Sequence, residues 1–409
     1  MFDNTITRFD SMAISNMATK SSNSDFDLGS YLIDLRANIG NVGHLLRLDR
    51  QEQSRIRDEL IKENFTYHYL NNAFYQDFCR EQRVSPDTIL NEGIEHIPLI
   101  PVRMFKDRKN ADLLLTTPED EMELEIFSTG TSGIPSIAKR DKESCDNLAL
   151  ILSGLYREFF EIITGAGLFL CPSPAETPEM GMVRAFNFLS GLLEDRTYLV
   201  ERYHFVAEQA LNILKGWEDL FTRHIVGPPF MINRLLKYLE ENNMRLELDE
   251  ESKIIMLGGW NRFTGEQIPR EAFDESCTEY LGIGTHQIRD MYGLVERNFL
   301  AIECEKNMKH LPPWVEIVIR NLDNQQQVIR ETGKAGLITL LDPTNLSYPC
   351  FIETEDIGHI PLDGLCSCRR LSQTIHFEAR VAGVELGCCA INLDRYMEER
   401  EITRTCDTL

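Results

Sequence analysis

The run Phe127-Ser-Thr-Gly-Thr-Ser-Gly-Ile-Pro-Ser136 carries the clearest chemistry in the chain. Ser128, Thr129, Thr131 and Ser132 supply hydroxyl donors, while Gly130 and Gly133 let the backbone close around an anion, a combination suited to nucleotide phosphates. The Gly-Lys-Ser/Thr ending of a Walker A loop is missing, and taken alone the run reads equally well as a polar turn. Asp290-Met-Tyr-Gly-Leu-Val-Glu296 puts an aromatic ring and a carboxylate on one short segment, and Gly258-Gly259-Trp260 ends an apolar run with a glycine pair. Cys304 and His310, with Cys366 and Cys368, offer four ligands of the kind that zinc takes in closed tetrahedral sites. Gly387-Cys-Cys-Ala390 adds two thiols, each a nucleophile if exposed and partly ionised, or a small core residue if not.

These groups need elements to position them. Apolar residues at Ile56, Leu60, Ile61, Phe65, Tyr69, Leu70, Phe74 and Phe78 recur at helical spacing and predict one or two amphipathic helices, with Pro86 opening a further short element. Prolines at 98 and 101 predict an extended strap over His96–Phe105 rather than a regular strand. The spacing predicts helices over Lys142–Ile163, Val206–Trp217, Phe230–Asn242 and Arg270–Leu281. Buried strands are expected at Gly167–Pro172 and Lys253–Trp260, giving an α/β body on a largely parallel sheet. From Trp314 the texture changes to short strands at Val315–Ile319, Val328–Arg330 and Gly336–Leu341.

Composition bounds the partners. The chain has 409 residues, and 42 Lys+Arg against 65 Asp+Glu give a net charge of −23, which repels phosphate backbones and anionic membranes. No nucleic-acid or membrane partner is expected. The longest mainly apolar stretch, Leu148–Tyr156, is well short of the roughly 20 residues a membrane helix needs. Eleven irregularly spaced cysteines do not form a disulfide framework and fit a reducing cytoplasm. The polar N-terminal segment has no secretory h-region. A serine-hydrolase elbow and a His-Glu-x-x-His zinc helix are both missing.

Taken in order, the motifs resemble the adenylate-forming (acyl-AMP, ANL) superfamily. Ser128–Pro135 matches its phosphate loop, with Ser136 where most members carry lysine. The strap Ile97–Lys106, the ending Gly133–Asp141 and the Phe65–Tyr75 helix look like the LuxE-type acyl-protein synthetases, a branch that tolerates serine at that position. The resemblance implies that ATP and Mg²⁺ are used. It implies that Tyr292, beside Gly293, stacks on adenine, that Glu296 holds Mg²⁺, and that Gly258, Gly259 and Trp260 line the adenine pocket. Val295 replaces the family's threonine. Thr354-Glu-Asp-Ile-Gly358 resembles the Thr-Gly-Asp element, making Asp356 the ribose ligand, with Glu355 in place of glycine. Ala379-Arg-Val-Ala-Gly-Val-Glu385 resembles the hinge; Arg380 is kept, but Ala382 replaces its aspartate. Only residues 381–409 follow, so a complete lid with its catalytic lysine is not expected, and either a partner protein completes the site or adenylation is slow. The likeness makes Cys388 or Cys389 the acyl acceptor, with Cys406 in reserve, and related phenylacetate–CoA ligases carry similar Cys/His pairs where zinc is expected.

The expected architecture is a flexible tail at 1–30, an α/β adenylation domain at 31–300, a small β subdomain at 301–378 and a truncated hinge/lid at 379–409. The expected activity is activation of a carboxylic acid, fatty by the likeness, to acyl-AMP, followed by transfer to a protein thiol on the chain itself, a reductase subunit or a carrier. A phenylacetate–CoA-ligase-like or secondary-metabolite ligase forming a CoA thioester or amide is the alternative, and a non-catalytic nucleotide-binding protein is a third. Phe159, Phe160, Leu168 and Phe186 are candidates for an acyl tunnel or for plain core. His286 is a candidate acyl-pocket residue, whereas His204, His224 and His376 read as packing or surface groups.

Overall fold

The computed structural model describes residues 26–128, 135–202, 204–258, 268–324, 326–361 and 366–381. Helix Lys142–Phe160 shows how local sequence sets an element. Asp141 caps it by accepting from the Ser144 N–H, and Ile151, Leu152, Leu155, Tyr156, Phe159 and Phe160 form its buried face. It stops three residues before the expected end because Glu161 turns into the left-handed region at φ 53°. Helix Arg270–Leu281 ends the same way at Gly282, where φ is 68°.

Among the described residues Met122–Phe127 and Ile137–Asp141 form a two-stranded antiparallel sheet, and the other strands form one thirteen-stranded sheet. Five strands of the larger sheet, Asp195–Tyr198, Ala166–Phe169, Arg223–Gly227, Ile254–Leu257 and Ile288–Tyr292, run parallel in that spatial order. Helices Gly181–Ser190, Ala207–Gly216, Pro229–Glu241 and Arg270–Leu281 make the crossovers, so the inner strands are buried on both faces and read as continuous apolar runs. The sheet continues antiparallel through Ala301–Glu303, Lys309–His310, Thr374–Arg380, Phe351–His359, Gly336–Leu341, Glu316–Arg320 and Val328–Ile329. The expected α/β class, with a large mixed sheet, is what the chain adopts.

The strap differs in part from its expectation. Ile100 and Pro101 pair in parallel with Ile352 and Glu353, and Val102–Lys106 then winds into a 3₁₀ turn. Proline tolerates an edge position and does not forbid a helical turn after it. Phe159, Phe160, Leu168 and Phe186 are all sealed in the core, at most 2% exposed, so they line no open tunnel. Among the described residues no helix is long and apolar enough to cross a membrane.

His68, on helix Arg50–Asn71, ties the N-terminal helices to the sheet. Its Nε2 lies 3.1 Å from the Asn345 carbonyl and its Nδ1 2.7 Å from the Thr116 hydroxyl. Burial holds its pKa down to about 3, and burial likewise holds His224 down to about 4. The unfolded chain protonates both near 6.5. The folded state therefore binds fewer protons below that pH, and stability is full above it and falls as the pH drops. Urea unfolding between pH 7.5 and 5 should show wild-type stability falling with decreasing pH, each histidine contributing up to about 1.4 kcal/mol per pH unit. His68→Gln should make that slope shallower; an unchanged slope would refute the assignment.

Candidate active site

Parallel strands place their carboxyl ends on one edge, where α/β sheets bind ligands. Ile254–Leu257 and Ile288–Tyr292 are adjacent there, Leu257 standing opposite Met291. Each chain leaves the edge through glycine. Gly258 has φ 104°, a conformation that L side chains rarely adopt, and a Cβ on Gly293 would sit 2.3 Å from Leu300 Cδ2. Backbone geometry therefore dictates glycine at 258, whereas at 293 a side chain would have to displace that of Leu300.

Tyr292, Asp356 and Arg380 meet beside this edge, although 88 residues of chain separate the first from the last. The Tyr292 hydroxyl donates to Asp356 Oδ2 at 2.6 Å, and Arg380 Nε donates to Oδ1 at 3.0 Å. Strand pairing brings them there, since Asp356 lies directly opposite Arg380 in the antiparallel ladder. The Thr354 hydroxyl accepts from the Asp356 N–H at 3.0 Å and donates to the Ile338 carbonyl, which fixes the strand bearing the carboxylate. Burial, and then the Asp356 charge, push the Tyr292 phenol up, so it stays protonated as a donor. Phe377 stacks on the Tyr292 ring with centroids 5.7 Å apart, and the Arg297 guanidinium lies 4.6 Å from the ring centre. Glu355, which breaks the family pattern, pairs with Lys106 of the strap at 2.5 Å.

Glu296 is buried, and its backbone carbonyl accepts from the Tyr348 hydroxyl at 3.0 Å and Cys350 Sγ at 3.2 Å. Those bonds hold the turn on which its carboxylate sits. The glycine-rich loop is closed at its base. The Ser128 N–H donates to the Ser136 carbonyl at 2.9 Å and the Ser136 N–H to Ser128 Oγ at 2.7 Å. Phe127 bridges to Met180, and the neighbouring Gly181 sits so close to Val295 that a Cβ there would lie 2.7 Å from Val295 Cγ1. The base of the loop and the Tyr292–Glu296 turn are thus neighbours. Thr129, Gly130, Thr131, Ser132, Gly133, Gly259, Trp260, Cys388, Cys389 and Cys406 lie outside the described residues.

Sequence reasoning gave no role to Arg140, Arg297, Asn298 or the Asp342–Ser347 loop. Arg140 Nε donates to Asn298 Oδ1 at 2.5 Å, and its Nη2 donates to the Val295 and Arg297 carbonyls at 2.6 Å each. The signal was faint: a basic pair, Lys139-Arg140, on a short strand that is buried throughout.

The four metal-type ligands also converge. The ligand atoms of Cys304, His310, Cys366 and Cys368 all lie within 4.8 Å of one another. Cys304 Sγ is 3.5 Å from Cys366 Sγ, and Cys368 Sγ is 3.3 Å from His310 Nε2. Tetrahedral Zn with Zn–S near 2.3 Å has ligand–ligand edges of roughly 3.3–3.8 Å, so the donor set and its spacing fit that ion. The Lys306 and Arg370 N–H groups donate to Cys304 and Cys368 sulfur, each at 3.4 Å, and His310 Nδ1 meets Ser372 Oγ at 3.3 Å. The contact with Cys304 pulls the Cys368 thiol far down, with His310 adding to it, and the same contact plus burial push Cys304 up. Because Ala301 pairs with Tyr292 in antiparallel register, Cys304 lies toward the opposite end of that strand from the Tyr292 site. The cluster therefore stands apart from the nucleotide-type groups.

A family model described as "Acyl-protein synthetase, LuxE" matches residues 42–160 and 195–397. A long-chain-fatty-acid–luciferin-component ligase of Aliivibrio fischeri is 28% identical over 320 residues, covering 75% of this chain and 80% of its own. One from Vibrio harveyi is 27% identical over 354 residues, covering 84% and 89%. In fold, the chain is similar to a 2-hydroxyisobutyryl-CoA ligase solved with its acyl-AMP and CoA, with TM-score 0.62 at 12% identity over 82% of this chain and 77% of that one. The class is that of the adenylate-forming acid ligases. Within it, the chain belongs to the LuxE family of acyl-protein synthetases.

Proposed function

We propose that this protein activates a long-chain fatty acid with ATP and passes the acyl group through a cysteine thiol to a protein acceptor. The observation that carries the reading is Asp356, which gathers Tyr292 and Arg380 beside the carboxyl ends of the parallel strands. Its two oxygens each keep a lone pair, which suits acceptance from both ribose hydroxyls. The base of the Ser/Thr loop lies next to the Tyr292–Glu296 turn, which suits a nucleotide extending from that nucleoside end toward the loop. In the first step a carboxylate oxygen bonds to the α-phosphorus as the bond to the bridging oxygen breaks, and pyrophosphate leaves with the electron pair. Glu296 supplies a carboxylate for Mg²⁺, whose charge offsets that on the phosphates. In the second step a thiolate attacks the acyl carbonyl and AMP departs as leaving group. Cys388 and Cys389 are the candidate thiols, and both follow the Arg380 strand.

ATP–pyrophosphate exchange should depend on an added fatty acid, with long chains preferred over aryl acids. Asp356→Ala removes the acceptor for two donors, one of them charged, and should lower exchange by about 100-fold or more while the protein remains folded. Exchange indifferent to this change would refute the site. Incubation with ATP and fatty acid should add one acyl mass to the intact chain, labile to hydroxylamine. Cys388→Ser or Cys389→Ser should abolish that mass, and its persistence in the double variant would refute acceptance at this pair.

We also propose that Cys304, His310, Cys366 and Cys368 hold a structural Zn²⁺, a reading supported by three sulfur donors and one imidazole within 4.8 Å of one another, with N–H···S bonds behind them. Metal analysis should find about one zinc per chain, and removal by a strong chelator should lower Tm by about 10 °C or more. Cys366→Ser should reproduce that loss, and protein that is free of zinc and equally stable would overturn the proposal.

A further inference from the structure

Arg297 is 2% exposed, yet among the described residues none of its three guanidinium nitrogens meets a hydrogen-bond acceptor. Arg140, still more buried, also leaves Nη1 without one. Such groups lose their water without compensation and are rare in a finished fold. Asp342 is the buried carboxylate that senses the Arg297 charge, but its oxygens already accept from the Asn298 N–H, the Thr344 N–H and the Thr344 hydroxyl. Arg297 instead rests on aromatic faces, 4.6 Å from the centre of the Tyr292 ring and 4.8 Å from that of Phe299. Cation–π contact holds a guanidinium in place and leaves its in-plane N–H donors unspent. The chain thus keeps a fixed, desolvated cation with spare donors beside the site, where Gly293, Leu294 and Val295 are partly open to solvent.

Its position says which anion it meets. A nucleotide's α-phosphate is covalently bound to lie between its ribose and its β- and γ-phosphates. Tyr292 and Asp356 mark the nucleoside end. Ser128 and Ser136 mark the base of the loop for the outer phosphates, and the strand Ile137–Asp141 that leaves this base carries Arg140. Arg297 touches Tyr292 on one side, and its carbonyl receives Arg140 on the other. Resting on the nucleotide reading above, we propose that Arg297 is the receptor for the α-phosphate of the bound nucleotide and stays on that phosphate through acyl-AMP to AMP. This makes it a catalytic residue, since the phosphorus it faces is the reacting atom. The role also gives Val295 a context: valine offers no hydroxyl to an anion, and the donors come from the side chain two residues later.

Calorimetric titration of the full chain with AMP and with adenosine tests this. Arg297→Met should weaken AMP by about 10- to 100-fold, as expected for a lost charge-assisted contact, and leave adenosine unchanged. Arg297→Lys should fall between. Equal loss of AMP and adenosine, or AMP affinity indifferent to both variants, overturns the assignment. If the wild type binds neither AMP nor ATP, the nucleotide reading itself fails, and this inference with it. Should Arg297→Met fail to fold, the wild type supplies an independent measure: the ³¹P shift of bound AMP should titrate well below the free phosphate value of about 6. A bound phosphate that titrates as it does in solution overturns the proposal.

Discussion

The structure depends on a polar network buried at the N-terminus of helix Lys142–Phe160. The Ser144 hydroxyl accepts from the Leu346 and Ser347 N–H groups, Ser347 Oγ accepts from the Asp141 N–H, and Asn147 Nδ2 reaches the Thr344 carbonyl. Asn298 Nδ2 binds the Ser144 carbonyl, while Asn64 Nδ2 and His68 converge on the Asn345 carbonyl from helix Arg50–Asn71. The loop Asp342–Ser347 is therefore the point where helices, parallel strands and antiparallel strands are bound into one body. Its groups are out of water, so each bond is costly to leave unmade, and the network tolerates few alternatives.

That rigidity bears on function because the network and the site share residues. Arg140 leaves the glycine-rich loop on one strand and clamps the Val295–Asn298 turn from behind. The turn carries Glu296 and Arg297 on their way from Tyr292 to the core. A site that must hold phosphates in fixed relation to a reacting carboxylate gains from donors placed before the substrate arrives, since reorganisation during the reaction is avoided. The overall charge of −23 does not oppose this. Surface carboxylates are screened by water and salt, whereas the buried guanidinium groups act at close range in a low dielectric.

The Cys/His cluster answers a different demand. It binds the turn after Ala301–Glu303 to the segment before Thr374–Arg380, and that second strand delivers Arg380 to Asp356. A Zn²⁺ bound there, as proposed, would fix the register of the ladder on which the Asp356 pair depends, at a distance from the nucleotide-type groups.

The sequence by itself determined the local elements and the order of the motifs. Apolar spacing placed helices such as Lys142–Phe160, Ala207–Gly216, Pro229–Glu241 and Arg270–Leu281 to within a few residues, though not Leu28–Ile39 or Gly181–Ser190, since one buried face per helix leaves a 3.6-residue period. Continuous apolar runs at Ala166–Phe169 and Ile254–Leu257 marked strands covered on both faces. Gly258 was legible because few residues other than glycine adopt its backbone conformation. What local pattern does not encode is which distant side chains meet. Only the tertiary structure decided that Tyr292 and Arg380 share Asp356, that Cys304 and His310 close with Cys366 and Cys368 into one cluster, and that the polar run Asp342–Ser347 is a buried hub rather than a surface turn. It alone revealed Arg297 as a buried cation with unspent donors. The reason is physical: periodicity records the burial of a face against its immediate surroundings, while contacts across 88 residues are set by strand register and helix packing, which no window of sequence contains.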